Sequence, residues 1–126
     1  MDEGAQAALS TDGTVDITTI GARSGLPRRS EIWFLNLDGR TFITGTPGPR
    51  NWYANLLADD RLIFHLKESH AADLAARAVP VLDERTRRWV FTRPHRWNRW
   101  YLGESSLEDL VANAPMVELF FEEDGG

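Results

Sequence analysis

The chain has 126 residues, 42% of them hydrophobic and 26% charged, with no cysteine and a formal net charge of -5. That is the profile of one globular domain, long enough to bury roughly two thirds of its extended surface without a disulfide or structural metal. The lack of cysteine excludes thiolate zinc sites, iron–sulfur ligation and thiol nucleophiles. No apolar run reaches the roughly 20 residues of a membrane span, and Met1-Asp2-Glu3-Gly4 lacks the order of a signal peptide, so a cytoplasmic location is expected.

Residues 1–13 are small and polar without a sustained period and read as a flexible or weakly helical arm. A single domain over 14–122 follows, closed by an acidic tail at 123–126. The β-branched run Val15, Ile17, Thr18, Thr19, Ile20 favours a strand, and Gly21 to Leu26 turns the chain. Ser30 to Leu37 reads as a second strand with Trp33, Leu35 and Leu37 on one face and Ile32 and Phe34 on the other, so both faces look buried. Asp38-Gly39 then signals a type I′ hairpin into Arg40–Thr44. The loop Gly45-Thr46-Pro47-Gly48-Pro49 precedes a short helix in which Trp52 and Leu56, and Tyr53 and Leu57, stand four apart. Leu62 to Leu66 is a short strand. Ala71 to Ala78 has helix propensity but runs straight into Val79-Pro80-Val81-Leu82. Asp83 caps a helix that Pro94 must end or kink, Trp97, Trp100 and Tyr101 form another turn, and Ser105-Ser106-Leu107-Glu108 is a capping box. Met116 to Phe121 alternates as a closing strand. About six short strands with hairpin connections predict an α+β domain, a small, mostly antiparallel barrel with short peripheral helices.

The positive charge is unusual, since thirteen of the fourteen cations are arginine and Lys67 is the only lysine. Arg23, Arg28 and Arg29 fall within seven residues, and Arg85 to Arg99 holds six arginines and no acid. Two basic segments in an acidic protein suit an anionic small ligand better than general nucleic-acid binding. Gly21 to Ser30 concentrates backbone donors, hydroxyls and guanidinium forks, the chemistry of a phosphate cradle; a plain β-turn with solubilising arginines has the same composition. Asn51-Trp52-Tyr53 opens a helix where free N–H groups favour an anion and the aromatics offer a stacking surface, although Trp52 also has the spacing of a core residue. The Arg/Trp segment from Arg85 to Tyr101 fits an anionic cofactor tail, a partner surface or single-stranded nucleic acid, or else an amphipathic helix with solvated arginines. His65, His70 and His95 lack metal-ligand spacing, so no metal is expected, and His65 reads as a hydrogen-bonded strand residue. No nucleophile elbow or nucleotide-binding glycine motif is present.

Three segments together resemble the deazaflavin-dependent nitroreductase family: Thr18 to Ser30, then Asn51-Trp52-Tyr53-Ala54-Asn55-Leu56, then Ala114 to Leu119. The likeness runs from about Val15 to Glu122. It implies a split β-barrel related to flavin-binding pyridoxamine phosphate oxidase-like proteins, a homodimer, and a strand over Ala71 to Leu82. It also implies that Arg23, Ser24, Arg28, Arg29 and Ser30 hold the phosphate and acidic tail of a deazaflavin coenzyme (factor 420, F-420). Thr44, Gly45 and Thr46 would line its ring, with Asn51 and Trp52 beside it, and Trp97, Trp100 and Tyr101 would stand on the acceptor side. This chain has Ala22-Arg23-Ser24-Gly25 and Gly45-Thr46-Pro47-Gly48 where the family has Arg-Lys-Ser-Gly and Ser-Lys-Gly-Gly, and its N-terminal helix looks nearly absent. The expected activity is hydride transfer to a hydrophobic acceptor such as a quinone or nitroaromatic, with Tyr101 or water donating a proton. The alternatives are the same fold with FMN, whose single phosphate needs fewer cations, or a non-enzymatic Arg/Trp-rich binding module.

Overall fold

The computed structural model describes residues 1–122; the acidic tail expected at 123–126 lies outside them. Strand β1 (Thr14–Ile20) buries Val15, Ile17 and Thr19 on one face and leaves the alternate residues half-exposed, the period-2 pattern of a sheet with one face in a core. Its neighbours are β2 (Pro27–Trp33) and β5 (Arg61–Leu66). Strands β6 (Ala72–Pro80), β7 (Met116–Phe121), β4 (Arg40–Thr44) and β3 (Leu35–Leu37) complete a sheet of order β2-β1-β5-β6-β7-β4-β3. Every neighbouring pair is antiparallel.

Strands β2 and β3 occupy opposite edges of this sheet, yet Phe34 alone separates them in the chain. The sheet must therefore curl until its two edges meet, which makes the α+β domain a split barrel. Phe34 is fully buried, and its N–H donates to the Gly13 carbonyl at 2.9 Å. The single strand expected over Ser30 to Leu37 is thus two strands. Its apolar alternation records a change of sheet edge, with Phe34 in one core cluster and Leu35 and Leu37 in the other, while residues 27–31 are exposed. Its two faces are not both buried.

One core cluster fills the barrel, with Val15, Ile17, Phe34, Ile43, Phe64 and Val117 fully buried. The second lies between the outer side of β3, β4 and β7 and three helices, α3 (Glu84–Thr92), α4 (Arg96–Glu104) and α5 (Leu107–Asn113); it includes Phe42, Phe91, Leu110 and Met116. Pro94 separates α3 from α4, as its missing N–H requires. Asp83 caps α3 by accepting from the Thr86 N–H, and Ser106 caps α5 by accepting from Asp109, one residue later than the expected box.

Residues 1–13 are not an arm. Asp2 caps helix α1 (Glu3–Thr11), whose Ala5, Ala8 and Leu9 enter the barrel core; small side chains let this helix sit close. Helix propensity also fails over Ala71 to Ala78, because β6 lies between β5 and β7 and gains ladder hydrogen bonds on both sides. The strand implied by the family resemblance is correct. At the hairpin, Asp38 and Gly39 both have positive φ, 53° and 80°, as a type I′ turn needs.

Candidate cofactor site

Between β1 and β2 the chain turns tightly: the Gly21 N–H donates to the Leu26 carbonyl at 2.8 Å, and the Gly25 N–H donates back to Gly21 at 2.9 Å. Gly25 sits at φ 68°, where a Cβ would be strained. Ser24 Oγ accepts from the Leu26 N–H. Helix α2 (Asn51–Ala58) holds this turn from the side through buried Asn55, whose Oδ1 accepts from the Ala22 N–H at 2.9 Å while its Nδ2 donates to Thr19 Oγ1 at 3.1 Å. The result is a cleft of about 580 Å³ lined by Arg23, Ser24, Arg28, Arg29, Ser30, Asn51, Trp52 and Asn55. Seven of the ten expected cofactor residues thus converge.

The cleft suits an anion. Among the described residues Arg23 and Arg28 have no carboxylate partner. Helix α2 has no side-chain cap on its first turn, so its leading N–H groups are left for a ligand, with the helix dipole adding positive potential. Strand alternation divides the two adjacent arginines. Arg28 stands opposite Thr19 on the inward side, whereas Arg29 stands opposite Thr18 and donates through Nε to Asp16 at 3.1 Å. Arg29 is therefore a rim cation held by an ion pair. Glu31, the carboxylate nearest in sequence to these arginines, pairs with Lys67 instead.

Thr44, Gly45 and Thr46 do not line that cleft. Thr44 is buried, donates through Oγ1 to the Pro115 carbonyl at 2.6 Å and accepts at its own carbonyl from the Tyr101 hydroxyl at 3.3 Å. Arg50 folds back over the following loop, with Nη2 donating to the Thr46 carbonyl at 3.0 Å and to Thr46 Oγ1 at 2.9 Å. Its Nη2 would lie 3.4 Å from a Cβ placed on Gly45. A cation thus stands beside the end of β4, although the residue at the family's lysine position is Thr46.

Tyr101, expected as a proton donor, stands behind the end of β4. Only 3% of the residue is exposed, its hydroxyl donates to the Thr44 carbonyl, and burial pushes its pKa up from 10.0 to about 12. The fold favours the neutral phenol, so this stabilisation is complete below pH 10 and is lost as pH rises from 10 towards 12. Denaturant titrations across that interval should show a loss of a few kcal/mol at most, and a smaller loss in Tyr101→Phe.

The arginine-rich segment resolves into separate tasks. Trp33 stacks on Trp97 at 3.9 Å and 5°, with Trp100 edge-on at 5.3 Å. Arg96 lies over Trp97, Arg93 over Trp89, and Arg88 bridges Glu84 and Glu108. Arg87 is buried and donates to the backbone carbonyls of Val111 at 2.6 Å, Val81 at 2.8 Å, Leu110 at 3.3 Å and Ala114. It closes the C-terminus of α5, where a helix presents unpaired carbonyls.

Asn55 is the site residue that sequence reasoning did not assign. It lies in the Asn51–Leu56 motif, which was the only available signal. Asn55→Ala should remove both restraints on the cradle turn and weaken coenzyme binding by about tenfold, one net hydrogen bond, with a smaller effect on unfolding; equilibrium titration checks this.

A curled antiparallel barrel with an anion cleft between a glycine turn and an uncapped helix is a cofactor-binding split barrel. Residues 3–102 match the F420H(2)-dependent quinone reductase family, and the chain belongs to that family. Its fold recurs in a solved F420 reductase at TM-score 0.66 and 17% identity, covering 98% of this chain and 97% of that one. It also recurs in a conserved hypothetical protein from Mycobacterium tuberculosis (TM-score 0.69, 17% identity, 98% and 82% covered). A FAD-binding protein from Mesorhizobium loti is similar at TM-score 0.69 and 10% identity, with 98% and 91% covered. No curated protein matches. The protein is a deazaflavin-dependent oxidoreductase that uses the factor 420 coenzyme, and the cleft's unpaired arginines and open helix N-terminus fit that anionic group.

Proposed function

We propose that this enzyme reduces a hydrophobic, electron-poor acceptor, a quinone or nitroaromatic, with the coenzyme's anionic tail in the cleft of Arg23, Arg28 and Ser30. The observation that carries the reading is the convergence of two unpaired guanidinium groups on the uncapped start of α2. When bound, the deazaflavin supplies the hydride. Arg28, Arg23 and the Ser24 and Ser30 hydroxyls hold the charged end, and Trp52 covers the neighbouring apolar part. Arg50 stands in for the missing lysine beside Gly45. The Trp33, Trp97 and Trp100 cluster forms the dry wall for a planar acceptor, and water supplies the proton that Tyr101 does not. We place dimerisation in the same reading, through the outward edge of β2, whose outer backbone groups are free to pair.

Titration of one sample with the oxidised deazaflavin coenzyme and with FMN tests the reading. Quenching of coenzyme fluorescence at lower concentration than any FMN response is expected, followed by oxidation of the reduced coenzyme when a quinone or nitroaromatic is added. Tighter binding of FMN, or no quenching at all, would overturn it.

A further inference from the structure

On the outward face of the barrel, beside the rim of the coenzyme cleft, three neighbouring strands bring Asp73, His65 and Thr18 into one hydrogen-bonded row. His65 Nδ1 lies 2.7 Å from Asp73 Oδ1, and His65 Nε2 lies 2.7 Å from Thr18 Oγ1. The register builds the row, with His65 directly opposite Asp73 on β6 and diagonal to Thr18 on β1. An ionised carboxylate only accepts hydrogen bonds, so the imidazole proton resides on Nδ1 and Nε2 is left to accept from the Thr18 hydroxyl. This is a hydroxyl, a base and an orienting carboxylate in the order that activates a nucleophile.

Two further features complete a reaction site. Thr18 borders a depression of about 420 Å³ lined by Ile20, Pro27, Ile63 and Ala75, which suits an apolar group. Across the sheet on the other side, Arg29 is paired in register with Thr18 and bonds only through Nε, to Asp16. Its Nη donors have no partner among the described residues, and its Cβ stands one strand spacing, roughly 5 Å, from that of Thr18.

We propose that this row is an acyl-transfer site that accepts small apolar esters. His65 Nε2 takes the Thr18 proton as Oγ1 bonds to the ester carbonyl carbon, and the negative charge on the carbonyl oxygen faces the Arg29 guanidinium. Collapse breaks the bond to the alcohol, which leaves with the proton from His65. Water, deprotonated in turn by His65, attacks the acyl-threonine; the acid departs and the Thr18 hydroxyl is restored. Thr18 and His65 are the catalytic residues, and Asp73 is a positioning residue that holds the imidazole tautomer.

The coenzyme-free protein incubated with p-nitrophenyl butyrate tests this. A burst of nitrophenolate and a butyryl group on the β1 peptide at Thr18 are expected. Thr18→Ser should keep the reaction, Thr18→Val should abolish it, and His65→Gln should slow it by about 100-fold or more. Asp73→Asn should slow it by about tenfold or more while shifting its pH profile. Far-ultraviolet circular dichroism reports the fold of each variant; if Thr18→Val unfolds, the contrast between Thr18→Ser and His65→Gln decides. Butyryl groups only on lysine or the terminal amine, or a rate unchanged in His65→Gln, would overturn the proposal.

Discussion

Arg87→Met is expected to lower the midpoint of thermal unfolding by about 10 °C, corresponding to about 3 kcal/mol of stability. The methionine fills much of the space but donates nothing, so the buried carbonyls of Val81, Val111 and Ala114 lose their donor, while the Leu110 carbonyl keeps the Ala114 N–H. Each unsatisfied buried acceptor costs about 1 kcal/mol or more. Burial pulls the Arg87 guanidinium below its ordinary pKa without removing its charge, and the Asp83 carboxylate is among the groups that oppose the shift. Arg87→Lys keeps the charge but reaches fewer of the four carbonyls, so an intermediate midpoint is expected. The effect extends to the site, because Ala114 precedes the Pro115 carbonyl that receives the Thr44 hydroxyl. Calorimetry checks the first part, and a coenzyme titration well below the midpoint checks the second. A melting curve identical to that of the parent would show that water replaces the guanidinium at no cost.

The second large effect concerns binding. Arg28→Glu should weaken coenzyme binding by a factor of roughly 100 or more, whereas Arg28→Gln should cost about tenfold. A charge-assisted hydrogen bond contributes about 1.5–3 kcal/mol, and the carboxylate adds repulsion to the same anion. Arg28 is exposed and has no acidic partner among the described residues, so neither substitution should move the melting temperature appreciably. Arg29 provides the internal comparison. Its Nε is held by Asp16 on the other face of the sheet, and Arg29→Gln should change affinity less than Arg28→Gln. Equal losses would show that the two neighbouring arginines act as one cation pair, contrary to the strand alternation. Raising the salt concentration should weaken the parent protein more than Arg28→Gln.

The parts legible in the sequence are those whose causes lie close together in the chain. Asp38-Gly39 announces its hairpin because positive φ at two adjacent residues is a local demand. The cradle from Arg23 to Ser30 was visible because one turn and one strand start supply most of its donors. Phe34 was not legible as a break, since apolar alternation continues unchanged through it while the strand partner changes from β1 to β4. Ala71 to Ala78 misled for a related reason, as alanine's local preference for helix is overridden by two flanking strands. Asn55 and Arg87 were hidden because they serve backbone groups up to 33 and 27 residues away, and no periodicity marks a side chain that satisfies a distant carbonyl or N–H. The burial of Tyr101 and its hydrogen bond to Thr44 are tertiary facts of the same kind, which no local pattern announces.

The passage of β2 into β3 through a single buried residue also makes β2 a ruler. Arg28 stands near its start and Trp33 at its end, five residues apart and therefore separated by roughly 16 Å of extended backbone. Phe34 pins the far end to Gly13, and Asn55 pins the turn before the near end through Ala22, so neither mark can slide. Five is an odd step on a strand, so the two marks stand on opposite faces of β2, Arg28 toward the cleft and Trp33 toward the outer helices. The strand thus keeps a cation and an aromatic stack at a fixed spacing with the sheet between them.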